Sequence, residues 1–291
     1  MERRAFLKCS AGSAALAAAA GRVLAAEEPK KEGVLKLCSQ AGRIPGKSLR
    51  DKVLQLQDWG GVGIELGGGG NVKDVQEAIK GTKVKVSALC WGSAGGAIVS
   101  PDKEKREKGI QQIKNALKFG GEVESTGVIF VPCFHRQSEL KPEELDKVLL
   151  DVLPAIGDYA VEQKCRVLLE PLNRGETFYL QRLEQAAAIC SKLNHPGICM
   201  MGDFYHMCKE EKDDEAAFVT AGKWLHHVHL ASRSRVLPGQ DDRSFVAGFR
   251  GLKKIGYQDY CSLECGVKGK PEEEIPKSFR FLEAQWKEAT I

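Results

Sequence analysis

Four residues of this 291-residue chain have the types and spacing that metal chemistry needs: Glu170, Asp203, His229 and Glu264. Each ends a short apolar run, as Glu170 does in Arg-Val-Leu-Leu-Glu. Three carboxylates and one imidazole form a mostly oxygen ligand set, which suits Mn²⁺, Mg²⁺ or Co²⁺, with Zn²⁺ as a further alternative. Without a cation, carboxylates packed together would repel one another and raise one another's pKa. These residues therefore predict a site for one divalent cation, provided that the fold brings them together.

Eight short apolar segments, with longer amphipathic segments between them, form the elements that must position these residues. The apolar segments are rich in Val, Ile, Leu and Cys, which is typical of parallel strands covered on both faces. They span 35–39, 62–66, 84–90, 127–132, 166–170, 198–203, 225–230 and 260–264. The patterns predict helices over 47–58, 72–80, 102–119, 142–163, 180–193, 210–220, 245–255 and 271–287. Eight strand–helix pairs over roughly 250 residues predict an α/β fold, a single (β/α)8 TIM barrel, with its active site at the carboxyl ends of the strands.

A doubly wound dinucleotide-binding sheet is the alternative α/β fold. It would place Gly-x-Gly-x-x-Gly after the first strand, whereas this strand continues into Ser-Gln-Ala-Gly-Arg. The four glycines 67–70 after the second strand lack the Lys-Ser/Thr of a phosphate-binding loop. These observations favour the barrel.

Four motifs, in this order, resemble the xylose isomerase-like barrel family of sugar isomerases and epimerases, and its ketose 3-epimerase and hydroxypyruvate isomerase branches in particular. The motifs are Leu-Glu-Pro-Leu-Asn at 169–173, Gly-Asp-Phe-Tyr-His at 202–206, His-Val-His at 227–229 and Leu-Glu at 263–264. The resemblance implies that one cation, Mn²⁺ above the other candidates, is held by Glu170, Asp203, His229 and Glu264. It also implies that Glu170 and Glu264 are catalytic and exchange protons with the substrate.

The same resemblance implies that His206, Arg235 and Glu176 bind oxygens of the substrate. Glu65 after the second strand, Trp91 after the third and His135 after the fourth lie at the predicted mouth, and we expect them near the substrate. Loop packing or helix capping is the alternative for these three residues. We interpret His227 as a polar residue of the barrel interior, since strand alternation places it on the face of His229, and a metal ligand is the alternative.

This chemistry predicts an isomerase or epimerase that abstracts a proton next to a carbonyl. A cation that bridges the carbonyl and the neighbouring hydroxyl would stabilise the enediolate intermediate. Return of the proton to the other face of the same carbon inverts it, whereas return to the neighbouring carbon isomerises the sugar. We expect a small sugar or keto-acid as the substrate.

The first 26 residues predict a cleaved export signal. Arg3-Arg4 and Phe6-Leu7 precede an Ala-rich run and a small-residue end at Ala26. The paired arginines resemble the twin-arginine export signal. We therefore expect residues 27–291 to form the mature barrel in the periplasm or another exported location, with a retained anchor as the alternative. No other segment is apolar over the length that a membrane span needs.

Composition and charge limit the kinds of partner that we expect for this protein. The formal net charge is +4, and four basic residues against one acidic residue in 1–26 account for most of it. A nearly neutral barrel is a poor match for the backbone of a nucleic acid, and we expect no such partner. Nine of the ten cysteines follow residue 26 without a Cys-x-x-Cys pair, so we interpret them as packing residues. The exposed helices of such a barrel also allow a homo-oligomer.

Three other functions compete with the isomerase. An apurinic endonuclease with three zinc ions would need histidines after the second and third strands, which are absent from 65–70 and 91–95. A sugar-binding barrel without turnover would need no complete ligand set. A lyase-like enzyme would use the same enediolate chemistry on an oxidised sugar or glycoside. The residues also fit the binding and the lyase alternatives.

Overall fold

The computed structural model describes residues 31–291. The predicted export signal, residues 1–26, lies outside these residues. Within them, no helix combines the length and the apolar character needed to cross a membrane.

Eight parallel strands close into a barrel in chain order, which confirms the predicted TIM barrel. Their observed ends agree with the predicted ones within two residues. The strands are β1 (Lys36–Gln40), β2 (Gly63–Gly67), β3 (Lys85–Gly92), β4 (Val128–Phe130), β5 (Val167–Leu169), β6 (Ile198–Asp203), β7 (Leu225–Leu230) and β8 (Tyr260–Leu263).

Helices surround the barrel, and in residues 31–291 there is one α-helix more than the eight predicted. They are α1 (Leu49–Asp58), α2 (Val72–Ile79), α3 (Lys103–Glu122), α4 (Pro142–Glu162), α5 (Leu183–Leu193), α6 (Phe204–Glu210), α7 (Asp214–Ala221), α8 (Val246–Lys254) and α9 (Pro271–Glu288). The prediction of one helix over 210–220 was wrong at its start. The chain instead forms α6 directly after β6, and a second helix begins where the Asp213 side chain accepts a hydrogen bond from the backbone N–H of Ala216.

Two apolar layers position the mouth of the barrel. A small cluster, Ala88, Ile129, Leu168, Cys199 and Met201, is buried separately from the main core. The main core packs strands against helices, and Phe204 joins it through ring contacts with Phe218 at 5.2 Å and Phe245 at 4.8 Å. The nine cysteines of 31–291 are free and mostly buried, in agreement with a packing role.

The register of the last strands aligns the side chains at the mouth. Asp203 of β6 lies opposite His229 of β7, and His229 lies opposite Ser262 of β8. Because successive side chains of a strand point to opposite faces, Glu264 faces the same side as Ser262. His226 faces away from the interior and contacts Asp259, while His227 is fully buried, as the alternation predicts.

Candidate active site

Glu170, Asp203, His229 and Glu264 meet at the mouth of the barrel, and we call them the acidic cluster. They come from four consecutive strand ends, β5 to β8, and one potential ligand atom of each lies within 4.8 Å of the others. The Nδ1 atom of His229 is 3.7 Å from Glu170 Oε1 and 3.5 Å from Glu264 Oε2. The structure thus brings together the four residues that the sequence selected as metal ligands.

Two atoms of the acidic cluster lack partners in a way that fits a cation. Asp203 Oδ2 and His229 Nδ1 are buried and have no hydrogen-bond partner among the described residues. A buried polar atom without a partner costs about 1–3 kcal/mol. A divalent cation bound by oxygen and imidazole ligands would satisfy both atoms, so the cluster fits the metal that the ligand types predict.

Below the acidic cluster, Glu65 holds two histidine rings. Its Oε2 atom lies 2.8 Å from His227 Nε2 and 2.9 Å from His229 Nε2, and its Oε1 atom accepts a hydrogen bond from Gln40 Nε2 at 2.8 Å. The same Gln40 amide lies 3.1 Å from Glu264 Oε1. We call Gln40, Glu65, His227 and His229 the Glu65 cluster. Because His229 donates its Nε2–H to Glu65, its Nδ1 is directed at the acidic cluster, as in metal-binding histidines whose other ring nitrogen is held by a carboxylate.

Charge and burial shift the pKa values of the carboxyl groups in different directions. Burial, together with the charges of Glu264 and Glu170, raises the pKa of Asp203 to about 8. Burial also raises the pKa of Glu170. Although burial alone would raise the pKa of Glu264, His229 and Arg235 lower it to about 2. Protons and a cation therefore compete for the atoms of Asp203 and Glu170.

Arg235 lies across one side of the acidic cluster. Its Nη2 atom donates to Glu264 Oε2 at 3.0 Å, and its Nη1 atom donates to Glu176 Oε1 at 3.0 Å. The guanidinium also lies 4.6 Å from the centre of the Tyr205 ring. The backbone of Arg235 has a positive φ of 55°, a conformation that is uncommon for residues other than glycine. The loop after β7 thus holds a permanent positive charge beside one of the two glutamates.

His206 lies beside Asp203 and Glu176. It is the third residue of α6, and its Nε2 atom is 3.4 Å from Asp203 Oδ2. Its Nδ1 atom is 3.1 Å from the backbone nitrogen of Asn173 and 2.7 Å from the Asn173 side-chain nitrogen. Burial and the charge of Arg235 lower the pKa of His206 to about 3, so the ring is neutral at neutral pH.

The other predicted substrate-binding residues lie at different depths. Glu65 is 1% exposed and contacts histidine rings, so it lies below the acidic cluster and supports it. Trp91 is half-buried at the end of β3, 6.0 Å from the Phe130 ring. His135 is exposed in the loop after β4, with its Nε2 atom 2.9 Å from the carbonyl oxygen of Arg174.

Sequence reasoning missed two residues that contact the predicted ones. Gln40 ends β1, so the rule that selected polar residues at strand ends would also have found it. Asn173 lies inside the first motif, but its contacts with His206 and Glu176 depend on a loop whose path the sequence does not specify.

Comparison with known proteins agrees with the barrel and its mouth. The sequence model of the xylose isomerase-like TIM barrel family matches residues 55–285. The chain is 29% identical over 261 residues to the 3-dehydro-D-guloside 4-epimerase of Escherichia coli (strain K12), which covers 85% of this chain and 99% of that protein. It is 24% identical over 176 residues to a probable ketose 3-epimerase of Synechocystis sp., covering 58% and 60% of the two chains.

A solved structure extends the similarity to the fold. The crystal structure of 3-keto-D-glucoside 4-epimerase from E. coli has a TM-score of 0.78 and 26% identity, and the match covers 86% of this chain and 100% of that one. These relatives are named as epimerases, which confirms the prediction of an isomerase-class enzyme in a family of sugar epimerases and isomerases. The family match over most of the barrel shows that this chain belongs to the xylose isomerase-like TIM barrel family.

Proposed function

We propose that this protein is a divalent-metal-dependent sugar epimerase or isomerase that removes and returns a proton next to a carbonyl. The observation that carries the proposal is the acidic cluster, in which two glutamates stand at the ends of a row of four potential ligands. Glu170 follows β5 and Glu264 follows β8, with Asp203 and His229 between them.

The two glutamates are the proton-transfer pair. Because Asp203 and His229 lie between the two glutamates in the order of the strands, a substrate carbon held in front of them would have one carboxylate on each side. Glu170 or Glu264 takes the proton from one face and the other carboxyl group supplies a proton to the opposite face, which inverts the carbon. Gln40 and Arg235 hold both oxygens of Glu264, so its carboxylate has a defined orientation.

The acidic cluster would hold the cation, with Mn²⁺ as our first choice. A bound divalent cation polarises the carbonyl and its neighbouring hydroxyl, which makes the adjacent proton more acidic. Glu65 supports this arrangement by fixing the ring of His229.

Oxygens of the sugar meet three side chains of this chain. Arg235 offers a permanent charge and several N–H donors, His206 offers a neutral ring, and Glu176 accepts hydrogen bonds from hydroxyl groups. These groups orient the substrate and oppose the charge that develops on its oxygen. We propose ketoses and keto sugars or their glycosides as substrates, because the relative aligned over 99% of its length is a 3-dehydro-D-guloside 4-epimerase. We also propose export by the twin-arginine route, on the basis of residues 1–26.

The test combines metal analysis with a substrate panel. Purified protein is analysed for metals, then supplied with Mn²⁺ and incubated with ketoses, 3-keto glycosides and keto-acids, with products separated by chromatography and identified by NMR. We expect one metal ion per chain and an epimer or isomer of at least one substrate. Glu264→Gln should abolish turnover, while Glu107→Gln on the surface of α3 should leave it unchanged.

Three outcomes would contradict the proposal. A protein that binds metal and sugars without converting any of them favours the binding alternative. Formation of an unsaturated sugar shows elimination by a lyase-like reaction. Absence of metal at saturating Mn²⁺ removes the assignment of the acidic cluster.

A further inference from the structure

We propose that Asn173 is a positioning residue that holds His206 as a neutral ring with its proton on Nε2, so that this N–H donates to an oxygen of the substrate. The inference rests on the proposed function, because it gives His206 a donor role in that reaction. It concerns a residue of the loop between β5 and α5 that has no ligand or catalytic role of its own.

His206 Nδ1 is an acceptor of hydrogen bonds from Asn173. The backbone N–H of Asn173 lies 3.1 Å from this atom with hydrogen-bond geometry. A backbone N–H can only donate, so Nδ1 must present its lone pair. The Asn173 side-chain nitrogen lies 2.7 Å from the same atom, and both donors are buried. One residue thus directs two N–H groups at a single ring nitrogen.

The position of the His206 ring proton follows from the chemistry of imidazole. A neutral ring carries one N–H, and if Nδ1 accepts, the proton is on Nε2. His206 Nε2 is buried and has no hydrogen-bond partner among the described residues, although Asp203 Oδ2 lies 3.4 Å away. An unpaired buried donor beside the acidic cluster is placed to meet a substrate oxygen.

The Asn173 amide also connects this ring to the other substrate-binding groups. Its nitrogen lies 3.1 Å from Glu176 Oε1, the atom that also accepts from Arg235 Nη1 at 3.0 Å. Its oxygen accepts from the backbone N–H of Gly175 at 2.9 Å, so the nitrogen and oxygen of the amide cannot be exchanged without loss of these bonds. Asn173 therefore fixes His206 and Glu176 together.

Two substitutions separate positioning from packing. Asn173→Asp keeps the shape but replaces the side-chain donor with an acceptor, which opposes the remaining backbone donor and favours a proton on Nδ1. Asn173→Ala leaves a cavity but keeps the backbone donor. We expect Asn173→Asp to lower kcat by about 10²-fold, comparable with loss of one oxyanion donor, and Asn173→Ala to have the smaller effect. A packing role predicts the opposite order, because the alanine variant loses more contacts.

The direct measurement is ¹⁵N NMR of the histidine rings in the full chain saturated with Mg²⁺. The spectrum of His206→Gln identifies the His206 signals among the six histidines. We expect an unprotonated Nδ1 and a protonated Nε2 in the parent protein and in Asn173→Ala, and a protonated Nδ1 in Asn173→Asp. Asn115→Asp, the same change on the exposed face of α3, should leave the spectrum unchanged.

A proton on Nδ1 in the parent protein, or the same spectrum in Asn173→Asp, would overturn the inference. This readout needs no turnover. If no sugar is converted but the rings behave as expected, the proposed function fails while the role of Asn173 in holding the ring stands. If turnover is found and the ring carries its proton on Nδ1, only this inference fails.

Discussion

The Glu65 cluster and the acidic cluster share His229 but differ in how their polar atoms are satisfied. Both oxygens of Glu65 are hydrogen-bonded, to Gln40 and to two histidine rings, although the side chain is fully buried. In the acidic cluster, Asp203 is equally buried, yet its Oδ2 atom has no partner among the described residues. Both oxygens of one buried carboxylate are thus hydrogen-bonded, whereas the other buried carboxylate has an oxygen without a partner.

This difference distinguishes a residue that supports the site from a residue that binds a ligand. A carboxylate whose bonds are complete within the protein holds its neighbours in place and gains little from a ligand. A carboxylate that lacks a partner becomes satisfied only when something binds, which is how a metal ligand behaves. His229 belongs to both clusters, so the hydrogen bonds of the Glu65 cluster fix the orientation of one residue of the acidic cluster.

The largest expected effect is on turnover, at Glu170. In Glu170→Gln the side chain keeps an oxygen for the cation but cannot take up a proton, so we expect kcat to fall by about 10²–10⁴-fold. The measurement is the initial rate on the sugar identified in the panel, with circular dichroism as the check on folding. A folded variant with more than a tenth of the parent rate would remove Glu170 from proton transfer.

The next effect is on metal-dependent stability, at Asp203. Mn²⁺ at 1,000 times its dissociation constant should stabilise the parent by about 4 kcal/mol, which corresponds to a rise in Tm on the order of 10 °C. Asp203→Asn should nearly abolish this rise, because the unpaired Oδ2 atom is replaced. Thermal melts with and without Mn²⁺ measure both values. An equal rise in the two proteins would show that Asp203 is not a ligand.

A smaller effect is expected at Glu65, since it acts through His229. A glutamine at this position has only one carbonyl oxygen. Its NH2 group must therefore face another donor, either the Gln40 amide or the histidine N–H groups. We expect Glu65→Gln to weaken Mn²⁺ binding by about 10–100-fold in a titration calorimeter. Glu77→Gln, on the exposed face of α2, is the matched control. Unchanged affinity in Glu65→Gln would mean that the two clusters are independent.

The smallest effect lies at the opposite end of the barrel. His195 lies in the turn before β6, where its Nδ1 accepts from the backbone N–H of Gly197 and its Nε2 contacts the exposed Asp158. Because a polar contact to an exposed side chain contributes about 0–1 kcal/mol, Asp158→Asn should change the free energy of unfolding by less than about 1 kcal/mol. Denaturant titration measures this, and kcat should stay the same. A loss of activity would show coupling between the two ends.

Most of the fold follows from local patterns. The strands were predictable because fully buried parallel strands are short apolar runs between polar turns. Helix α6 was not, because β6 passes into it at Asp203 without a loop, and this residue ends the strand while its side chain accepts from the backbone N–H of Tyr205. The apolar run therefore contains no signal that separates strand from helix.

The candidate site was predictable where position along a strand decides it. Glu170, Asp203, His229 and Glu264 follow from the rule of strand ends together with the resemblance to the family. The burial of Glu65 beneath two rings and the contacts of Asn173 depend on side chains from distant parts of the chain, and no local pattern encodes them.

The most direct test of the account is solvent exchange at the substrate carbon. The metal-loaded protein is incubated in D₂O with each keto sugar, and NMR follows the hydrogen next to the carbonyl, with a chelator-treated sample and Glu264→Gln as controls. We expect deuterium at that carbon, together with the epimer or isomer, in the metal-loaded parent alone. Full retention of hydrogen across the panel in the metal-loaded protein, or equal exchange after chelation, would contradict it.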